Sequence, residues 1–246
     1  MPACRSGAAA AAEPVSESPA TIDGFKRTAA ERAVAMIADG MTVGLGSGTT
    51  AEFALAALAA RIAGGLKVSG VPTSERTAGL ARQHGIPLVP FDGRSIDLAI
   101  DGADEIERDT LNLIKGGGGN LVREKLIARA SRRFIVIADE RKLVDRLGAH
   151  APLPVALLPF ARQFALRELA ALGAAGMIRQ AGDRDFVTDD GLVIADCACG
   201  AIADAAMLAT RIAAIPGVVD CGLFLGLAAE AIIAGRAGVR VLSPVK

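Results

Sequence analysis

Apolar and polar positions along this chain fall into blocks that switch between helical and strand spacing. Between 22 and 38, Phe25, Ala29, Ala30, Ala33, Val34 and Ile37 recur at three- and four-residue intervals, so they share one face of a helix that Asp39-Gly40 ends. Residues 41–46 form a short apolar run, followed by Gly46-Ser-Gly-Thr-Thr50 and an alanine-rich helical stretch to 62. Further strands are expected at 66–71, 87–91, 96–100 and 133–138, with helices at 74–84, closed by Gly85, and at 121–130, capped by Asn120. Strand and helix in alternation predict a parallel sheet covered by helices.

Around Gly148 the texture changes. Pro152, Pro154 and Pro159 follow in quick succession and predict a domain boundary. Beyond it the pattern predicts a strand at 155–158, a helix at 161–172, strands at 177–180 and 192–196, a helix at 204–214 and a strand at 218–224. Phe186-Val-Thr188 ahead of Asp190-Gly191 indicates a hairpin. The order β-α-β-β-α-β is the ferredoxin-like one. A short helix at 228–234 and a strand at 239–242 then return the chain to the first sheet. Residues 1–20, with five successive alanines and scattered Pro, Ser and Glu, predict a disordered extension. With Glu13 and Glu17 against Arg5, they make a poor signal or transit peptide.

Composition narrows the function. Of 246 residues 52% are hydrophobic, ample for a buried core, and Lys plus Arg equals Asp plus Glu at 27 each. Nothing in that balance steers the protein to nucleic acid or an anionic membrane surface. The aromatics are eight Phe without Tyr or Trp, so a stacking platform for single strands is missing and nucleic-acid binding is not expected. No apolar run reaches the ~18 residues of a membrane span, so a soluble, cytoplasmic protein is expected. Cys4, Cys197, Cys199 and Cys221 lack C-x-x-C spacing and read as reduced thiols. With only His84 and His150, no metal or cofactor centre is expected, and a general base should be a carboxylate or a lysine.

The chemistry gathers at the ends of strands. Lys115-Gly-Gly-Gly-Gly-Asn-Leu-Val-Arg-Glu-Lys125 combines a cation, four glycines and a carboxylate early in a helix. Four glycines cost conformational entropy, which points to a backbone that approaches a ligand closely or aims several N–H groups at it. Lys115 supplies a mobile cation, and Glu124 the one carboxylate of the stretch able to move a proton. A flexible linker before a solvated helix would use the same residues.

Gly46-Ser-Gly-Thr-Thr50 between strand and helix aims backbone N–H groups and the hydroxyls of Ser47, Thr49 and Thr50 at a helix N-terminus, where a phosphate is favoured; simple capping is the alternative. Gly44-x-Gly46-x-Gly48 has its third glycine one residue early for a dinucleotide, and no Gly-Lys-Ser/Thr follows. A small phosphorylated ligand remains. Asp101 and Asp104 fall at the carboxyl end of the 96–100 strand, where ligands of parallel sheets sit and where acids also cap turns. Lys142 follows the 133–138 strand as a second phosphate candidate or a solvated lysine. Lys26, on the first helix, reaches a site or faces solvent.

Four stretches resemble, in order and spacing, the motifs of ribose-5-phosphate isomerase, type A, over roughly residues 22–243. They are Gly44-Leu-Gly-Ser-Gly-Thr-Thr50, Asp101-Gly-Ala-Asp-Glu105, Lys115 to Lys125, and Ile215-Pro-Gly-Val-Val219 followed by Gly222-Leu-Phe. The resemblance implies an α/β protein: a Rossmann-like parallel-sheet domain of 21–147 and 226–246, with an inserted α+β ferredoxin-like domain at 148–225. It implies interconversion of D-ribose 5-phosphate and D-ribulose 5-phosphate through an enediolate, in the non-oxidative pentose phosphate pathway, by a homodimer or larger homo-oligomer.

Carried over by position, Glu124 is implied as catalytic base, with Lys115, Asp101 and Asp104 at the reacting end of the sugar. Ser47, Gly48, Thr49, Thr50, Gly102, Ala103, Gly116, Gly117, Gly118, Lys142 and Lys26 match binding positions. Ser47 and Thr49 stand where the family often has Thr and Ser, which keeps both hydroxyls. Cys221 and the small residues from Cys197 onward depart from the family in the inserted domain. Two other readings of the same residues remain: a sugar-phosphate sensor, which would not need Glu124, and a transferase using Glu124 as nucleophile toward a thioester.

Overall fold

A computed structural model describes residues 19–245. The described residues open with α1 (Pro19–Val34), β1 (Thr42–Leu45), α2 (Thr49–Ala63), β2 (Ser69–Pro72), α3 (Glu75–Gln83) and β3 (Leu98–Asp101). They continue through β4 (Glu105–Glu107), β5 (Leu113–Ile114), α4 (Leu121–Ala130), β6 (Phe134–Asp139) and β7 (Leu143–Val144). There follow β8 (Leu153–Leu157), α5 (Arg162–Ala171), β9 (Ala175–Ile178), β10 (Gln180–Ala181), β11 (Arg184–Asp185), β12 (Val193–Ala198) and α6 (Ala205–Ala213). The described residues end with β13 (Val218–Cys221), β14 (Leu223–Phe224), β15 (Glu230–Gly235) and β16 (Gly238–Leu242).

Six strands make the large sheet, in the order β16-β15-β6-β3-β1-β2, parallel except at the β15–β16 hairpin. Its middle strands are buried on both faces, so they read as continuous apolar runs rather than alternating ones. On one face, Ala29, Ala33 and Val34 of α1 and Leu55 and Leu58 of α2 pack with Ile135 and Ile137. On the other, Leu121 and Ile127 of α4 pack with Phe134, Val136 and Ile233. Because β1 connects outward to β2 while β3 lies on its other side, the strand order reverses beside β1, which leaves a crevice at the carboxyl ends.

The second sheet runs β13-β8-β12-β9, every neighbouring pair antiparallel, with α5 and α6 packed against it. This is the strand arrangement of a ferredoxin-like unit. The Asp190-Gly191 turn forms, with Thr188 N–H donating to Leu192 O at 2.8 Å and Val187 bridging Val193.

Four expectations change. Residues 228–234 are not a helix: β15 occupies 230–235 and pairs in parallel with β6, Ile232 against Ile137. A run buried on both faces carries no period to separate strand from helix. The 87–91 strand reduces to one bridge, Gly70 to Leu88. The 218–224 strand divides at Gly222, its last two residues joining β5, β4 and β7 in a small sheet that the sequence pattern did not predict. Of the extension expected over residues 1–20, Pro19 and Ala20 belong to α1 instead; residues 1–18, Cys4 among them, lie outside the described residues.

Candidate active site

Three parallel strands end at one cleft. At the end of β1 the chain passes so close to β3 that a Cβ on Gly46 would lie 2.3 Å from Asp101 Oδ1. Asp101 Oδ1 accepts the N–H groups of Ser47 at 3.0 Å and Gly102 at 2.7 Å. Lys115, leaving β5, turns its ammonium inward: it donates to Gly102 O at 2.7 Å and stands 3.0 Å from Asp101 Oδ2 and 3.2 Å from Glu124 Oε2. Asp101, Lys115 and Glu124 are 3%, 3% and 5% exposed.

The first turns of α4 point Glu124 into this cluster. Its Oε1 accepts the Ser47 hydroxyl at 2.5 Å, whereas Oε2 accepts no hydrogen bond and has only the charge of Lys115 beside it. Buried polar atoms ordinarily find partners, so an orphaned carboxylate oxygen on a residue that lines a cleft has a lone pair in reserve for a ligand. Burial is the strongest influence on Asp101 and pushes its carboxyl up, to about 7, against the pull of Lys115 and with a further push from Glu124. Burial works against the Lys115 charge, but Asp101 and Glu124 outweigh it and hold the ammonium above the usual lysine range. The cluster therefore keeps its cation while two carboxylates compete around it.

The glycine run curls over this cluster. Gly116 and Gly119 take φ values of 104° and 84°, open to glycine, and Gly117 N–H donates to Asp104 Oδ2 at 2.8 Å. A Cβ on Gly117 would approach Asp104 Oδ1 to 2.7 Å. Asn120 does not cap α4 with its side chain; the amide turns instead to Ser47 Oγ and Gly118 O, both at 3.4 Å.

At the other end of the cleft, α2 starts after Gly48, at φ 89°, with no side-chain cap. The hydroxyls of the loop are thus not used for capping, and the first N–H groups of α2 remain for an anion. Lys26 of α1 reaches Thr49 Oγ1 at 3.2 Å. Lys142 comes in from the turn after β6.

The cleft holds about 190 Å³ and is lined by Lys26, Ser47 to Thr50, Gly102 to Asp104, Lys115 to Gly118, Glu124 and Lys142. Of the predicted site residues Asp101 alone lies beneath this lining. Asp139 and Arg141 also line the cleft and were not predicted. Burial pushes the Asp139 carboxyl up, but the Arg141 guanidinium, 2.7 Å away, holds it below the usual carboxylate range. The signal for Asp139 was the one that marked Asp101: an acid at the carboxyl end of a parallel strand. Among the described residues no three His, Cys, Asp or Glu side chains gather as a metal site, and no helix is long and apolar enough to cross a membrane.

Residues 69–238 match the family model of ribose 5-phosphate isomerase A (phosphoriboisomerase A). The chain belongs to that family. Ribose-5-phosphate isomerase A of Gloeobacter violaceus is 50% identical over 224 residues, which cover 91% of this chain and 97% of the relative. The ribose 5-phosphate isomerase A structure from Methanocaldococcus jannaschii is 39% identical with a TM-score of 0.86, over 90% of this chain and 99% of the other. A D-ribose-5-phosphate isomerase in complex with phospho-erythronic acid is 36% identical with a TM-score of 0.87, again over 90% and 99%. The α/β fold expected from sequence is the ribose 5-phosphate isomerase A fold, and the chain is an isomerase of ribose 5-phosphate and ribulose 5-phosphate. The sensor and transferase readings no longer apply.

Proposed function

We propose that Glu124 moves the proton of this isomerisation and that the residues around it hold the sugar and its charge. The observation that carries the reading is Glu124 Oε2, buried without a hydrogen-bond donor, 3.2 Å from the Lys115 ammonium, on a residue that lines the cleft. With the furanose ring open, Glu124 takes the proton from C2 to give a cis-enediolate and returns it to C1, while the hydroxyl proton passes from O2 to O1. Negative charge develops on those oxygens. Lys115 and the Gly118 N–H are in place before the reaction begins, and such donors are worth roughly 3 kcal/mol each in comparable sites.

Asp104, on the cleft lining, holds sugar hydroxyls and assists ring opening. Asp101 acts from beneath, anchoring Lys115 and the Gly46–Ser47 turn. The 5-phosphate sits at the start of α2 between Lys26 and Lys142. The proposal extends to an enzyme of the non-oxidative pentose phosphate pathway in the cytoplasm, assembled as a homodimer or larger. It also keeps the division into a catalytic domain of 21–147 and 226–246 and an inserted domain of 148–225.

Glu124→Gln keeps the shape and removes the base. Its expected result is a loss of about 10²–10⁴-fold in kcat with KM for ribose 5-phosphate little changed. A metal chelator is expected to leave wild-type turnover intact. Near-normal turnover by Glu124→Gln with the sugar phosphate still bound would remove Glu124 from this role.

A further inference from the structure

The glycine run is closed by one hydrogen bond of its own, Gly119 N–H to Gly116 O at 2.9 Å, and takes a further hold from the second sheet. Arg179 follows β9, and its Nη1 donates to Gly116 O at 3.1 Å and Gly117 O at 2.9 Å, 63 and 62 residues away in sequence. The other side of the guanidinium is held by Asp196 of β12, through Nε to Oδ2 at 2.8 Å and Nη2 to Oδ1 at 2.5 Å. Phe186 covers the guanidinium at 5.7 Å and fills the space that a Cβ on Gly119 would need, 2.4 Å from its ring. Arg179 is thus fixed by a carboxylate fork on one side and an aromatic face on the other before it touches the loop.

We propose that Arg179 is a positioning residue for the isomerisation, aiming the Gly118 amide at the reacting oxygens and the Gly117 amide at Asp104. A peptide unit is planar and trans, so its C=O and N–H point in opposite directions. Holding Gly116 O toward Arg179 turns the Gly117 N–H to the opposite side, where Asp104 receives it at 2.8 Å. Holding Gly117 O turns the Gly118 N–H the same way, toward the cleft that Gly118 lines. A cation on the carbonyl also polarises the peptide and strengthens its N–H as a donor. The loop needs glycine to adopt this path, and Arg179 joins the Gly119–Gly116 and Gly117–Asp104 hydrogen bonds in keeping it there. This rests on the reading that the Gly118 N–H meets enediolate charge.

The test compares Arg179→Lys, Arg179→Met and Asp196→Asn with wild type and Glu124→Gln. The readouts are kcat, KM for ribose 5-phosphate, inhibition by phospho-erythronic acid, inhibition by inorganic phosphate, and thermal midpoint. Phospho-erythronic acid carries a carboxylate charge beside sugar hydroxyls, as the enediolate does; inorganic phosphate reports the far end of the cleft alone. For Arg179→Met the expected result is a fall of about 10²-fold in kcat and a comparable weakening of phospho-erythronic acid, with phosphate inhibition within threefold of wild type. Arg179→Lys, which retains a charge but not the fork, is expected between the two, and added guanidinium ion should restore part of the Arg179→Met loss.

Wild-type kcat in Arg179→Met overturns the inference. So does a parallel loss of phosphate and phospho-erythronic acid binding, which marks a merely structural arginine; if Arg179→Met does not fold, the same readings on Arg179→Lys decide. An active Glu124→Gln would instead overturn the proposed chemistry.

Discussion

Asp101 sits where burial resists its charge. Its carboxyl is raised from the ordinary 3.8 to about 7, first by burial and then by Glu124, so the folded protein holds a proton there that the unfolded chain releases above about pH 4. Where the native state binds more protons than the unfolded one, stability falls as pH rises. The contribution is therefore fully present below about pH 4 and lost as pH climbs through about 7. Asp101→Asn removes this slope: wild type is expected to lose on the order of a few kcal/mol between pH 5 and pH 8 from this group, and the variant not to. Urea midpoints at the two pH values check it, and parallel pH dependences would show that Asp101 is ionised throughout. At this scale the sequence was informative where residue type was unusual for its place. A lysine before four glycines, or an acid at a strand end, has few structural uses. Arg179 gave no such signal, because an arginine after an edge strand is ordinary until the fold brings Gly116 and Gly117 to it.

Among elements, the connection near Gly148 shows how a boundary visible in sequence can be tightly held. Glu105 is 1% exposed, and its two oxygens accept N–H groups from Gly148 and His150 at 2.6 Å and from Ala151 at 2.7 Å. The residue that follows Asp104 thus fastens the segment leading into the second sheet. Glu105→Gln would set an amide N–H₂ against a backbone donor, leaving a buried group without a partner. The expected cost is about 1–3 kcal/mol, read as a thermal midpoint lower by several degrees with KM unchanged. An unaltered midpoint would show the anchor to be dispensable. The elements most legible in sequence were helices with one apolar face, such as α1 and α3, and strands bounded by Gly or Asp. The small β4-β5-β7-β14 sheet escaped because strands of two or three residues carry no measurable period. β15 escaped for the opposite reason: Ala231 to Ala234 are all buried, and an unbroken apolar run satisfies either periodicity.

For the whole molecule the question is whether two sheets mean two independent folding units. The packing argues against it. One core joins Leu121 and Ile127 of α4 to Ala156 and Ile194 of the second sheet and to Leu192 just before β12. Gly222 stitches the sheets at the point where the chain changes from one to the other: its N–H donates to Pro154 O at 2.7 Å and its O accepts Lys115 N–H at 2.9 Å. Lys125, next to the catalytic candidate, donates to Asp220 and Cys221 at 2.5 and 2.7 Å from within the same seam. Elements sharing core residues and hydrogen bonds this closely lose most of their contacts together, so one cooperative transition is expected despite the 246-residue length. Cys197 and Cys221 report on the second sheet. Both are buried, 0% and 4% exposed, and burial pushes the Cys197 thiol up to about 12, so neither should react while that sheet is folded. Labelling of these two positions in urea, followed by mass spectrometry, is expected to share its midpoint with the loss of isomerase activity and of far-ultraviolet circular dichroism. Labelling at lower urea, with activity retained, would mean that the second sheet opens alone. Arg179 would then have to leave the glycine loop without consequence for turnover, contrary to the role its geometry assigns.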